Sequence, residues 1–199
     1  NKLLSMPGNY INEAQYKKYC CDNGILNEYA QNVLLSWMND LGICFSYQGN
    51  SGIIEDTKVL RPEWVINGVY KILMAPESEN CHGFLSNDII RQILERENDV
   101  NDRYHNIERD FVVEMMRKFK LSYTIGSSEF IPMLAQISEP ELPDLNNPIR
   151  FELAFNHCLS ESVLHQFIVE MKADVQEHLT WRYGTFLHSI DNSNGVVRF

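Results

Sequence analysis

The stretch "VLRPEWVINGVYKIL", Val59 to Leu73, reads as a short strand running straight into a helix. Pro62 suits the first helical position, where a backbone N–H would have no partner in any case. From there Trp64, Val65, Gly68, Val69, Ile72 and Leu73 mark one helical face. Burying a Trp side chain removes roughly 150–250 Å² from water, about 4–6 kcal/mol before the cost of ordering it. Two readings are open: Trp64 anchors a core helix, or the aromatic helix builds a site. The flanking sequence has to decide between them.

On the N-terminal side, "NYINEAQYKKYCCDNG" carries helix punctuation. Asn12 is a cap with Gln15 three residues on, and Gly24 sits where a left-handed terminator belongs. "NEYAQNVLLSWMNDLG" repeats the plan from Asn27 to Gly42. Its apolar stripe of Ala30, Val33, Leu34, Trp37, Met38 and Leu41 predicts a buried helix face. The period then changes to two at Ile43, Phe45 and Tyr47, breaks at Gly49 to Gly52, and Lys58 to Leu60 supply a return strand. Two helices and a hairpin make a winged-helix-like unit.

On the C-terminal side the plan recurs. "VVEMMRKFKLSYTI" lies over "LLSWMNDLGICFSY" without a gap, so Val112 falls on Leu34, Met116 on Met38, Phe119 on Leu41 and Tyr123 on Phe45. "GSS" at Gly126 to Ser128 turns the chain and "EFIPML" returns. Helices starting after Ser86 and around Asn106 precede that hairpin. A helix-then-hairpin unit therefore occurs twice, over about 9–60 and 84–135. "QISEPELPDLNNP", Gln136 to Pro148, is the linker candidate. Beyond it "IRFELAF" alternates like a strand and Ser160 caps a helix with Val163, Leu164, Phe167, Ile168 and Met171 on its buried stripe. "TWRYGTFLHSI" and "VVRF", joined by "DNSNG", read as a hairpin, giving β-α-β-β. The fold class expected is α+β.

The 199 residues fit one large or two small domains, and 44% hydrophobic content is ample for a core. A net charge of -10, with most of the acid excess between Arg61 and Asp144, argues against a polyanionic partner. Five cysteines, no N-x-Ser/Thr site and no apolar run long enough to span a bilayer point to reduced thiols in a cytoplasmic protein. An opening at Asn1 and a close on "GVVRF" suggest a piece of a longer protein.

Chemistry finds little purchase. No phosphate-cradling glycine motif, nucleophile elbow or H-E-x-x-H occurs. Cys81–His82 and His157–Cys158 are sequence neighbours whose side chains diverge, unlike the close-spaced ligand pairs zinc uses. Cys20 or Cys44 beside a histidine would make a nucleophile, but buried cysteines are usually inert packing. The acid pairs Glu55–Asp56 and Glu108–Asp110 invite a carboxylate mechanism. Yet Glu108 and Asp110 in a helix's first turn, with Arg117 and Lys118 in its last, complement the helix dipole without any substrate. DNA reading by a winged helix needs a basic helix before the hairpin, and Glu28 to Leu41 contains no Lys or Arg.

The opening stretch also resembles a family. "LRPEWVINGVYKIL" looks like the L-x-P-x-W…Y-x-I-L signature of the COR (C-terminal of Roc) domain of Roco proteins. "GFLS", "RKFKLSYTIG" and "EFIPML" resemble that family's next segments in the same order, and "WRYG" at Trp181 to Gly184 is similar to its WR-x-G. Arg61 departs from the Asp or Asn that often caps the helix there. The resemblance runs from about Asn9 to the end.

It implies a non-catalytic module that follows a Ras-like Roc GTPase domain. Residues 1–139 would be COR-A, 140–147 a linker and 148–199 the first part of COR-B. COR-A would pack on Roc, while COR-B would carry much of a homodimer contact and couple it to the nucleotide cycle. GTP or GDP with Mg would belong to Roc, with no cofactor or metal in this stretch. Within that frame the helix Ile107 to Phe119 is apolar on more than one side. One stripe should face the core, and the remainder, Phe111, Val112 and Met115, would receive Roc; packing on both sides is the competing reading. Trp37, Trp64, Tyr70, Phe119 and Trp181 are the expected structural anchors, with Arg182 the exposed member of "WRYGTF".

Overall fold

The structure, a computed structural model, describes residues 8–46, 57–96, 104–145, 148–150, 152–191 and 193–198. Tyr47, the turn at 49–52, Glu55–Asp56, Phe151, Asn192 and Phe199, which enter the expectations above, lie outside them. Among the described residues are six α-helices and three three-stranded antiparallel sheets, an α+β architecture.

Strand β1 (Tyr10–Asn12) hands over directly to α1 (Glu13–Asp22). Asn12 does both jobs. Its side chain accepts the Gln15 N–H at 2.8 Å, while the Gln15 side-chain oxygen accepts the Asn12 N–H at 2.8 Å. This is the reciprocal cap the sequence predicts. Helix α2 (Glu28–Asp40) starts at Asn27, whose side chain accepts the Ala30 N–H at 3.2 Å. Strands β2 (Phe45–Ser46) and β3 (Thr57–Val59) follow, and β3 lies in the middle of the order β1-β3-β2. Helix α3 (Pro62–Leu73) leaves this sheet, and a 3-10 turn, Pro76–Ser78, follows it.

The second sheet repeats the plan. Strand β4 (Phe84–Ser86), helices α4 (Asn87–Glu95) and α5 (Asn106–Lys118), then β5 (Tyr123–Ile125) and β6 (Ser128–Phe130) give the order β4-β6-β5. Phe45 pairs with Val59 as Tyr123 pairs with Phe130, and Tyr10 pairs with Val59 as Phe84 pairs with Phe130. Equivalent positions share physical roles. Ile11 and Leu85 are buried, Asn12 and Ser86 cap helices, and Gly42 and Lys120 take left-handed φ values of 65° and 58°. Lys58 and Glu129, both buried, occupy one site with opposite charge.

The C-terminal part departs from expectation. Helix α6 (Glu161–Glu170) precedes β7 (Val175–Trp181), β8 (Gly184–His188) and β9 (Asn194–Arg198), in sheet order β7-β8-β9. The alternating "IRFELAF" forms no strand among its described residues, and Ile149, Leu153 and Phe155 are exposed. Alternation creates one apolar face, but a strand also needs a neighbour for its backbone. Conversely, "TWRYGTF" is two strands, because Trp181 pairs with Gly184 across Arg182 and Tyr183. A Cβ at Gly184 would fall 2.2 Å from the Trp181 ring and 2.5 Å from the Val197 carbonyl oxygen. We expect Gly184→Ala to cost about 3 kcal/mol, because backbone on one side blocks relief; urea unfolding midpoints measure it.

The chain divides into two compact units, Asn1–Tyr70 with Glu97–Glu114, and Lys71–Arg96 with Met115–Phe199. The first has a core of Ile11, Tyr16, Cys20, Leu35, Cys44 and Leu60. It has a second aromatic centre, where Trp64 stacks on Tyr104 and Phe111 with centroids 5.4 and 5.9 Å apart. In the second unit Tyr123, Phe130 and Ala135 share one core with Leu164, Ile168, Val169 and Val175. The proline-rich stretch after Gln136 therefore runs within a single unit, where Arg198 grips Glu139 through two donors at 2.6 and 3.0 Å. On α6 the buried side is Leu164, His165, Ile168 and Val169, with Val163 exposed.

Candidate protein-interaction surface

The buried side of α2 is Gln31 and Leu35, with Leu34 and Met38 packed partly against the first unit's core. Gln31 is tied there by its backbone carbonyl, which accepts the Tyr16 hydroxyl at 2.7 Å, and by its side-chain amide, which donates to the Ile25 carbonyl at 2.8 Å. A polar residue thus occupies the inward face, and the Trp37 stripe is turned outward. Leu26 is 77%, Tyr29 78%, Trp37 64% and Leu41 73% exposed, with Val33 half-buried between them. Tyr29, Val33, Trp37 and Leu41 recur every four residues, which makes them one strip along the helix, and Leu26 precedes its cap. On α3, Ile66 and Tyr70 are likewise open.

This revises the expected anchors. Trp64 and Trp181 are buried. Trp37, Tyr70 and Phe119 are exposed instead. Their helices are apolar over a wider arc than their cores consume, so spacing alone does not say which side turns in. Phe111, Val112 and Met115 are fully buried. Phe111 stacks on Trp64, and the Val112 methyls would stand 2.8 Å from a Cβ placed on Gly68, so that glycine lets α3 approach α5. The structure does not bring these three to a surface. Arg182 is half-buried, and its side-chain Nε is buried without a hydrogen-bond partner.

No group of three or more His, Cys, Asp or Glu converges among the described residues. Burial pushes the Cys44 thiol up to about 11, and the Lys58 ammonium offsets only part of that. Such a thiol is a packing group, not a nucleophile. Burial lowers His165, whose ring nitrogen lies 3.3 Å from the Arg182 carbonyl oxygen. A cleft of about 560 Å³ in the second unit is lined by Leu73, Glu79, His82, Ile137 and Arg182 among others, mixing charge signs on apolar walls. No described helix is long and apolar enough to cross a membrane.

The buried charges are structural. Lys58 Nζ meets Glu13 at 3.0 Å. Glu129 accepts from the Arg117 guanidinium at 2.6 and 3.1 Å and from the Ser122 and Thr124 hydroxyls at 3.0 Å each. The sequence gives no sign of either. A charged residue in a short strand normally reads as solvent-facing.

Comparison with known proteins places the chain. Residues 1–136 match the model of the family "C-terminal of Roc, COR-A domain". A "Roc-COR-CHAT protease" of Runella zeae is 22% identical over 189 residues, covering 94% of this chain and 19% of that protein. A second protein of that name, from an unknown prokaryotic organism, is 23% identical over 198 residues and covers 95% and 17%. The chain thus spans under a fifth of these curated relatives. Among solved structures it is similar to Methanosarcina barkeri Roco2 RocCORdC bound to GDP, with a TM-score of 0.58 and 30% identity over 67% of this chain and 41% of that one. With over half its length matched, the chain belongs to the COR-A family, the domain that stands next to the Roc GTPase domain in Roco proteins.

Proposed function

We propose that the chain is a non-catalytic regulatory scaffold that packs on the adjacent Roc GTPase domain and couples its nucleotide cycle to dimerisation. In this reading residues 1–139 are COR-A, built of two winged-helix-like repeats, and 140–147 link them to the first part of COR-B. COR-B sits on the second repeat through the shared core of Tyr123, Phe130, Leu164 and Ile168. GTP or GDP and Mg belong to Roc, and a homodimer forms through COR-B.

The observation that carries the reading is the open apolar face of α2, a contact surface in a chain whose buried Lys58 and Glu129 are spent on internal pairs. The rival is a winged-helix reader of nucleic acid. Against it, α2 has no cation, and on α5 Arg109 is buried while Arg117 is held by Glu129. The test is calorimetric titration of this chain with its parent protein's Roc domain and, separately, with a 20-base-pair DNA duplex at low salt. Roc should bind and DNA should not. Salt-sensitive DNA binding without Roc binding would reverse the assignment.

A further inference from the structure

We propose that the open face of α2, formed by Leu26, Tyr29, Val33, Trp37 and Leu41, is the surface on which the Roc domain docks, a proposal that rests on the scaffold reading above. Tyr29, Val33 and Trp37 lie along α2, with Leu41 at its C-cap and Leu26 just ahead of its N-cap, and four of the five are large and mostly exposed. Scattered exposed apolar residues are ordinary, whereas an aligned strip marks a contact surface. α3 opens only two such residues in the same unit, Ile66 and Tyr70.

Area selects the kind of occupant. Four large side chains and Val33 present on the order of 500 Å², near the top of what a monomer usually shows. That is below the roughly 800 Å² per partner of a standard free interface. A separate molecule, whether a second copy of this chain or Roc added in trans, would bind this strip only weakly, on the order of micromolar to millimolar, which calorimetry still reads. A domain on the same polypeptide meets it at an effective concentration of about millimolar, so a small strip suffices. The relatives' names put Roc beside COR in one chain.

Charge adds a second constraint. Asp40 stands in the last turn of α2, where the helix dipole is already negative and no basic residue compensates it. No cation pairs with it among the described residues. The docking face on Roc is therefore apolar with a Lys or Arg at the edge that meets Asp40.

The experiment places a benzoylphenylalanine photocrosslinker at position 37, and separately at position 70, in the full-length protein. The expected product joins position 37 to a Roc residue. In parallel, Trp37→Asp in this chain weakens calorimetric binding of Roc by at least about tenfold, with no fall in unfolding midpoint because Trp37 is exposed. A product joining position 37 to a second copy overturns the proposal, as does a Roc product from position 70 alone or unchanged binding by the Trp37→Asp chain. In each case Roc binding by the unsubstituted chain leaves the scaffold reading standing. Absence of that binding removes the reading itself.

Discussion

Trp64→Ala should lower stability by about 3–5 kcal/mol, among the largest effects available to a single substitution here. Trp64 is 5% exposed and its ring stacks on Tyr104 and Phe111, with Tyr10 at 5.7 Å. Its backbone carbonyl accepts the Tyr104 hydroxyl at 2.6 Å, so the substitution leaves that bond while emptying the space around it. The cavity would be walled by Tyr10 on β1, Phe111 on α5 and Tyr104 in the segment leading into α5, which cannot all close on it. The control is Trp37→Ala, expected within about 0.5 kcal/mol of the unsubstituted chain because Trp37 is mostly exposed. Urea unfolding followed by circular dichroism measures both. Equal losses at the two positions would mean that α2 and α3 are oriented wrongly.

Glu129→Ala should cost about 3 kcal/mol. Breaking a buried pair usually costs 3–5 kcal/mol because the surviving partner is left uncompensated. The lower end applies because the Arg117 side chain is 40% exposed and can turn to water. The Ser122 hydroxyl cannot, since it is buried and donates to Glu129. The reverse truncation, Arg117→Ala, leaves the buried carboxylate with two hydroxyl donors and should cost a similar amount. A double-mutant cycle on the pair should return a coupling of at least about 1 kcal/mol. Strict additivity would show that the guanidinium contributes nothing to holding the β5–β6 hairpin on α5.

Local signals were legible in the sequence because local chemistry causes them. Asn12, Asn27, Ser86 and Ser160 cap helices where their spacing predicts, since a cap bonds a backbone N–H only two or three residues away. The gapless overlay of 112–125 on 34–47 reappears as matched strand register, Phe45 with Val59 and Tyr123 with Phe130. What stayed hidden depends on distant partners. β1 and β4 run straight into helices with no adjoining turn to mark them as half of a hairpin. The outward turn of Trp37 follows from Gln31 being held by Tyr16 and Ile25, contacts no periodicity encodes. Both sides of α5 are apolar, so spacing alone leaves Phe111, Val112 and Met115 either open to a partner or packed inside. α3 occupies one side, at Gly68. The strip on α2 was legible as residues and misread as direction.

The most direct test of the relay is hydrogen–deuterium exchange on the full-length Roc-containing protein, loaded with GDP and then with a non-hydrolysable GTP analogue. With Roc docked on the open face of α2, peptides over residues 28–40 should exchange differently in the two nucleotide states and more slowly in both than in the separate 199-residue chain. Exchange over those residues that is identical in both states, and equal to that of the separate chain, would contradict it.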